Sequence, residues 1–153
     1  MRTEKGFSLI ELLVVIAIIL IIMGMALPRL KEAQIQARET AAIKAVTTIH
    51  TAQAQYQSQF GKFAPALLNL APPASGYPTV LAAGLIDPDL ASGDRGGYRY
   101  NLQSTEEGYI VTALPVTFNS SGRRSFYSDE TLVLRQSSTP DPATAASPQV
   151  QAR

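Results

Sequence analysis

The chain has 153 residues, 13 basic and 12 acidic side chains for a formal net charge of +1, one histidine and no cysteine. A near-neutral balance excludes a general pull toward nucleic acid, and the absence of cysteine excludes thiol catalysis and disulfide stapling. The length allows at most one ordinary domain, so a small core must rest on apolar packing.

Residues 1–6 form a short leader in which Arg2 and Lys5 outweigh Glu4. A mildly positive segment ahead of an apolar span stays on the cytoplasmic side, so everything after the span is exported. From Phe7 the sequence runs as a membrane-length apolar segment over 7–28 with one acidic residue, Glu11, near its start. A carboxylate inside a bilayer costs roughly 2.5 to 3.5 kcal/mol and therefore calls for a partner. No Lys, Arg or His lies between Phe7 and Leu27. If the chain is cut between Gly6 and Phe7, the new α-amino group of Phe7 stands one helical turn before Glu11 on the same face. Two plainer readings account for less. Ordinary signal cleavage after Ala26 needs a shorter apolar core without a charge, and a simple single-pass anchor leaves Gly6 and Phe7 unexplained.

Helix-favouring composition continues to about Phe60, uniformly apolar at first and amphipathic over 29–60. Pro28 has no N–H for the carbonyl of Gly24, which predicts a kink or local loss of helix between Gly24 and Pro28. Beyond it, Leu30, Ala33, Ala37, Ala41, Ala45, Ile49, Ala52, Tyr56 and Phe60 read as one apolar stripe. Arg29, Lys31, Glu32, Arg38, Glu39 and Lys44 read mainly as a solvated face, and Gly61 as the residue that ends the helix.

Residues 61–136 combine a loop with a sheet. Five prolines between 65 and 88 exclude long regular elements, with short helical turns expected over 66–70 and 79–83. Three strands follow over 97–103, 109–118 and 125–136, the last broken near Ser128, Asp129 and Glu130. Turns at 105–108 and 119–122 make an antiparallel meander, with Pro115 at an edge or bulge. Residues 137–153, rich in Ser, Thr, Pro, Ala and Gln, read as a disordered tail. Sheet and amphipathic helix would cover each other's apolar faces in an α+β head.

Gly6, Phe7 and Glu11, with Pro28 and the long Ala/Gln-rich helix after it, resemble the prepilin signature of type IV pilins and type II secretion pseudopilins. Residues 5–60 carry this resemblance. Beyond Gly61 it is one of layout, aided by Phe60-Gly61-Lys62-Phe63 and Gly97-Tyr98-Arg99-Tyr100. The resemblance implies a prepilin peptidase that cuts after Gly6 and methylates Phe7, and an inner-membrane platform protein with an assembly ATPase. It implies a subunit held by membrane lipid before it polymerises with copies of itself or with minor pilins, as a periplasmic or surface filament. In related filaments the region around Gly24 and Pro28 unwinds, which would let subunits stretch or dock. The compact head without a disulfide-closed loop leans toward a type II secretion major pseudopilin. A type IV pilin serving adhesion, twitching or DNA uptake is the alternative, and a membrane-anchored binding module that never polymerises is the competing class.

Catalysis finds little support. His50 is alone within the helix, where a structural or solvated role is expected. No phosphate-binding loop occurs, and Gly93-Asp94-Arg95-Gly96-Gly97 lacks the spacing of one. Asp87, Asp89, Asp94 and Asp129 are oxygen ligands of the kind calcium takes, and some secretion pseudopilins hold calcium in the head. Their spacing matches no defined calcium loop and turn chemistry accounts for them, so no cofactor is expected. The adjacent pair Arg123 and Arg124 reads as solvated hairpin residues, not a phosphate contact.

Overall fold

A computed structural model describes residues 6–74 and 76–151. The expected leader, apart from Gly6, lies outside the described residues. By contacts the chain divides into two units, one up to Gln34 and one from Ile35 onward.

A single helix, α1 (Leu9–Phe60), contributes to both units. It is helical through Gly24 and Pro28, so the local loss of helix expected there is not found. One missing bond to the carbonyl of Gly24 does not end an element whose neighbouring turns keep theirs. In the first unit the apolar side chains from Leu9 to Leu27 are all exposed.

In the second unit α1 buries Ile35, Glu39, Ala42, Val46, Ile49, Gln53 and Tyr56. Their spacing alternates four and three, the period of one helix face. The expected stripe is correct from Ala45 onward and wrong before it, because Leu30, Ala33, Ala37 and Ala41 are exposed. Two polar residues occupy core positions, and a count of apolar residues alone slides off that register. Gln53 takes its place by clamping the Ala64 peptide, accepting from its N–H at 2.8 Å and donating to its carbonyl at 3.0 Å. The chain can double back to make that contact because Gly61 ends the helix at φ +70°, a left-handed conformation that suits glycine.

The connecting loop is tighter than its composition suggests. A 3-10 turn (Leu67–Leu70) buries Leu67 and Leu70, and the carbonyls of Asn69, Leu70 and Ala71 accept from the N–H groups of residues 83 to 86. The second expected helical turn is instead a hairpin closed by Thr79 and Ala82, which exchange both backbone bonds. A further helix not read from the sequence, α2 (Pro88–Ala91), starts on Asp87, whose side chain accepts from Leu90 N–H, with Pro88 in the first turn.

The sheet is the expected antiparallel meander, in the order β1 (Asp94–Arg95), β2 (Tyr98–Ser104), β3 (Tyr109–Pro115), β4 (Ser125–Asp129) and β5 (Arg135–Ser137). Tyr98, Tyr100 and Leu102 alternate inward on β2, as do Tyr109, Val111 and Ala113 on β3. These side chains meet the buried face of α1 in one core with Leu70, Ile86, Leu90 and Phe126. The expected disordered tail is a second correction. Gln136 N–H donates to Pro148 and Val150 N–H to Leu134, Ala143 is buried, and Arg135 reaches the carbonyl of Ser147. The segment lacks apolar periodicity because it is held as an extra edge by backbone bonds, which do not depend on side-chain pattern.

Candidate assembly and processing site

Ser8 precedes the first helical residue, and its carbonyl accepts from the N–H groups of Glu11 (3.1 Å) and Leu12 (3.2 Å). Gly6, Phe7 and Ser8 lie outside the helix, and Phe7 is 82 % exposed. Gly6 and Phe7 are thus both exposed and non-helical. Glu11 lies in the first turn of α1, where a carboxylate opposes the positive end of the helix dipole. Behind it the helix presents a continuous apolar stretch, none of it buried. By length and composition this stretch can cross a bilayer. Gly24 has open space around it.

The head holds two polar nodes that sequence reasoning missed. Glu39 is only 5 % exposed. It accepts from Arg123 N–H (2.8 Å) and from Arg124 Nε (2.8 Å), and Arg124 Nη2 also lies 2.8 Å from its carboxylate. Glu39 thus belongs to the core face and Arg124 to a partly buried ion pair, which corrects the solvated reading of both. The guanidinium also stacks over the Phe126 ring and donates to Gln136, while the Arg124 carbonyl accepts from Tyr98. Burial pushes the Tyr98 hydroxyl well above the ordinary tyrosine range.

The second node is His50, half-buried and bonded at both ring nitrogens: Nδ1 to the Tyr109 hydroxyl at 2.7 Å and Nε2 to Ser128 Oγ at 2.8 Å. Ser128 Oγ donates to the carbonyl of Val133, so it accepts from His50, and the neutral ring carries its proton on Nε2. Tyr109 then donates to Nδ1. Burial lowers the His50 pKa, with Asp129 opposing that shift, and burial raises Tyr109 to about 12. With both nitrogens engaged, His50 ties α1 to β3 and β4. The only advance sign of this node was the histidine itself, on the stretch of the helix past Lys44 that carries no Asp, Glu, Lys or Arg.

The acidic residues weighed for calcium are not brought together. Asp87 caps α2 and pairs with Arg95 at 2.6 Å, Asp94 pairs with Arg99 at 3.1 Å, and Asp129 accepts from Thr131 N–H. Asp89 lies in the first turn of α2. Among the described residues no group of three or more His, Cys, Asp or Glu side chains gathers as a metal site.

Residues 1–27 match the model of the prokaryotic N-terminal methylation motif. Over 123 residues, 76 % of this chain and 94 % of the relative, the sequence is 30 % identical to the type IV wide pilus major component PilA4 of Thermus thermophilus. The chain belongs to the type IV pilin family, pilins and pseudopilins together. No solved structure gives a significant match. As a pilin-family chain it is a structural subunit whose apolar N-terminal helix and prepilin motif fit membrane anchoring with an exported head. Membership also gives a meaning to the exposed apolar half of α1, since family members self-assemble into filaments after prepilin peptidase processing.

Proposed function

We propose that this chain is the repeating subunit of a type IV pilus, cut after Gly6, methylated on Phe7 and polymerised through the apolar half of α1. The observation that carries this reading is the likeness to a wide pilus major component along 94 % of that protein's length, head included. It favours the pilus over the secretion pseudopilus to which the compact, cysteine-free head had leaned.

Glu11 selects register. A subunit entering the filament brings its carboxylate to the Phe7 amine of a neighbour, and pairing removes two uncompensated charges from an apolar setting. The Leu, Ile and Val side chains from Leu12 to Ile22 exchange lipid for helix contacts, which changes little in free energy, so the charge pair decides position. A platform protein and an assembly ATPase supply the lift, since the chain has no phosphate-binding loop of its own.

The test is Glu11→Ala, read by intact mass and by filament yield. A chain that begins at methylated Phe7, remains in the membrane and forms few or no filaments is the expected result. Normal filament yield would overturn the register role, and an uncut leader in the parent chain would overturn the pilin reading itself.

A further inference from the structure

Between α1 and the connection from β4 to β5 lies a groove of about 500 Å³. Small-ligand sites span roughly 300 to 1,000 Å³. The side-chain hydroxyls that line it have all given their protons to internal acceptors. Thr47 donates to the carbonyl of Ile43 and Thr51 to that of Thr47, each at 3.1 Å, and Tyr109 donates to His50 Nδ1. His50 in turn spends its one proton on Ser128. What the hydroxyls still offer is lone pairs. Only the Gln57 amide keeps side-chain N–H groups for the groove.

Charge points the same way. Glu130 lines the groove and is exposed, and among the described residues no base or N–H group partners its carboxylate. It rests against the bare backbone of Gly108, where a Cβ would come within 2.6 Å of its Oε2. Burial, followed by the charges of Glu130 and Asp129, raises the Tyr109 pKa, so both carboxylates are felt at the groove. The adjoining depression, which shares Gln57 and Phe63, brings Glu106 and Glu107 against one base, Lys62. The rest of the lining is apolar: Ala54, Leu132 and the ring of Phe63, whose centroid lies 4.9 Å from that of Tyr109.

This set of groups discriminates among ligands by chemistry. The carboxylates repel an anion. A neutral sugar needs protein donors as well as acceptors, and the groove supplies almost only acceptors. A bare divalent ion needs gathered ligands, and among the described residues no such group forms. A protonated amine meets every feature, since its N–H groups donate to lone pairs, its charge is opposed by a carboxylate, and a cation is attracted to an aromatic face. We propose that the groove binds a small organic amine in its protonated form, the ammonium held by Glu130 and the hydroxyl lone pairs and the alkyl chain lying on Phe63 and Leu132. The site does not depend on how the chain assembles.

The probe is 1,5-diaminopentane, titrated into the full chain in micelles of an uncharged detergent and followed by NMR shifts, with 1,5-pentanediol as its uncharged match. The diamine is expected to give saturable shifts at Thr51, Phe63, Tyr109 and Leu132, and the diol none. Glu130→Gln keeps the shape without the charge and is expected to weaken binding about tenfold. Thr51→Val, which removes one acceptor, should weaken it by less, and Asp89→Asn on α2 should leave it unchanged. No shift with the diamine, equal shifts with the diol, parent-like binding by Glu130→Gln, or unsaturated shifts spread over all exposed acids would overturn the site. Because the measurement needs no filaments, either result leaves the filament reading as it stands.

Discussion

At the scale of single residues, His50 is where the head responds to pH. The neutral ring accepts from Tyr109 and donates to Ser128, and every proton in that chain of bonds has one acceptor. Adding a proton to Nδ1 turns that acceptor into a donor facing the Tyr109 hydroxyl. Burial lowers the folded pKa below the ordinary 6.5, and the nearby Asp129 charge only opposes it. The unfolded chain therefore takes up the proton first as pH falls. This contribution is fully present above about 6.5 and is lost as pH falls through the folded value. Thermal unfolding of the full chain in detergent micelles should show a midpoint that drops on moving from pH 7.5 to 5. His50→Gln should start lower, having lost hydrogen bonds worth about 1 to 2 kcal/mol, and should fall less over the same interval. Parallel curves for the two proteins would show that His50 does not set the slope.

At the scale of elements, what could be read in advance divides along physical lines. The strands were legible because alternation survives in Tyr98, Tyr100 and Leu102, and turns at 105–108 and 119–122 close on their own backbone bonds. The first half of the α1 stripe was not, since alanine marks no face and the true core positions include Glu39 and Gln53. Each is acceptable only because a partner distant in sequence satisfies it. The carboxylate of Glu39 meets Arg124, 85 positions away, and no local pattern announces such a pair. The tail was misread for the opposite reason. Composition reports side chains, whereas residues 147–150 are held by main-chain bonds to Leu134 and Gln136 and by Arg135, and Ser125 Oγ fixes the 141–143 stretch. Brief proteolysis of the full chain should accordingly leave the segment up to Val150 attached, and hydrogen exchange should show slow amides at Gln136 and Val150. Cleavage near Ser138 at the rate of an unfolded peptide would restore the disordered reading.

At the scale of the whole molecule, the chain is two solutions to one hydrophobic problem. Among the described residues every buried side chain falls at Ile35 or later, while the apolar run from Leu9 to Leu27 is bare. The head hides its apolar surface within itself, and the N-terminal half has only lipid or other copies to hide in. This also explains why the N-terminal motif was legible so early. It is carried by spacing along one short segment, residues 1–27, which a sequence displays directly, whereas the head's polar nodes depend on tertiary closure. It follows that the head should keep its fold when the anchor is removed. A chain of residues 29–153 should be soluble without detergent, sediment as a monomer, and melt within a few degrees of the full chain in micelles, because none of the described residues that the deletion removes is buried. It should also form no filaments, since both Glu11 and the apolar helix half are gone. A midpoint lower by ten degrees or more, which for a head of this size corresponds to roughly 2 kcal/mol or more, would mean that the N-terminal half contributes to the folded head and that the core does not begin at Ile35.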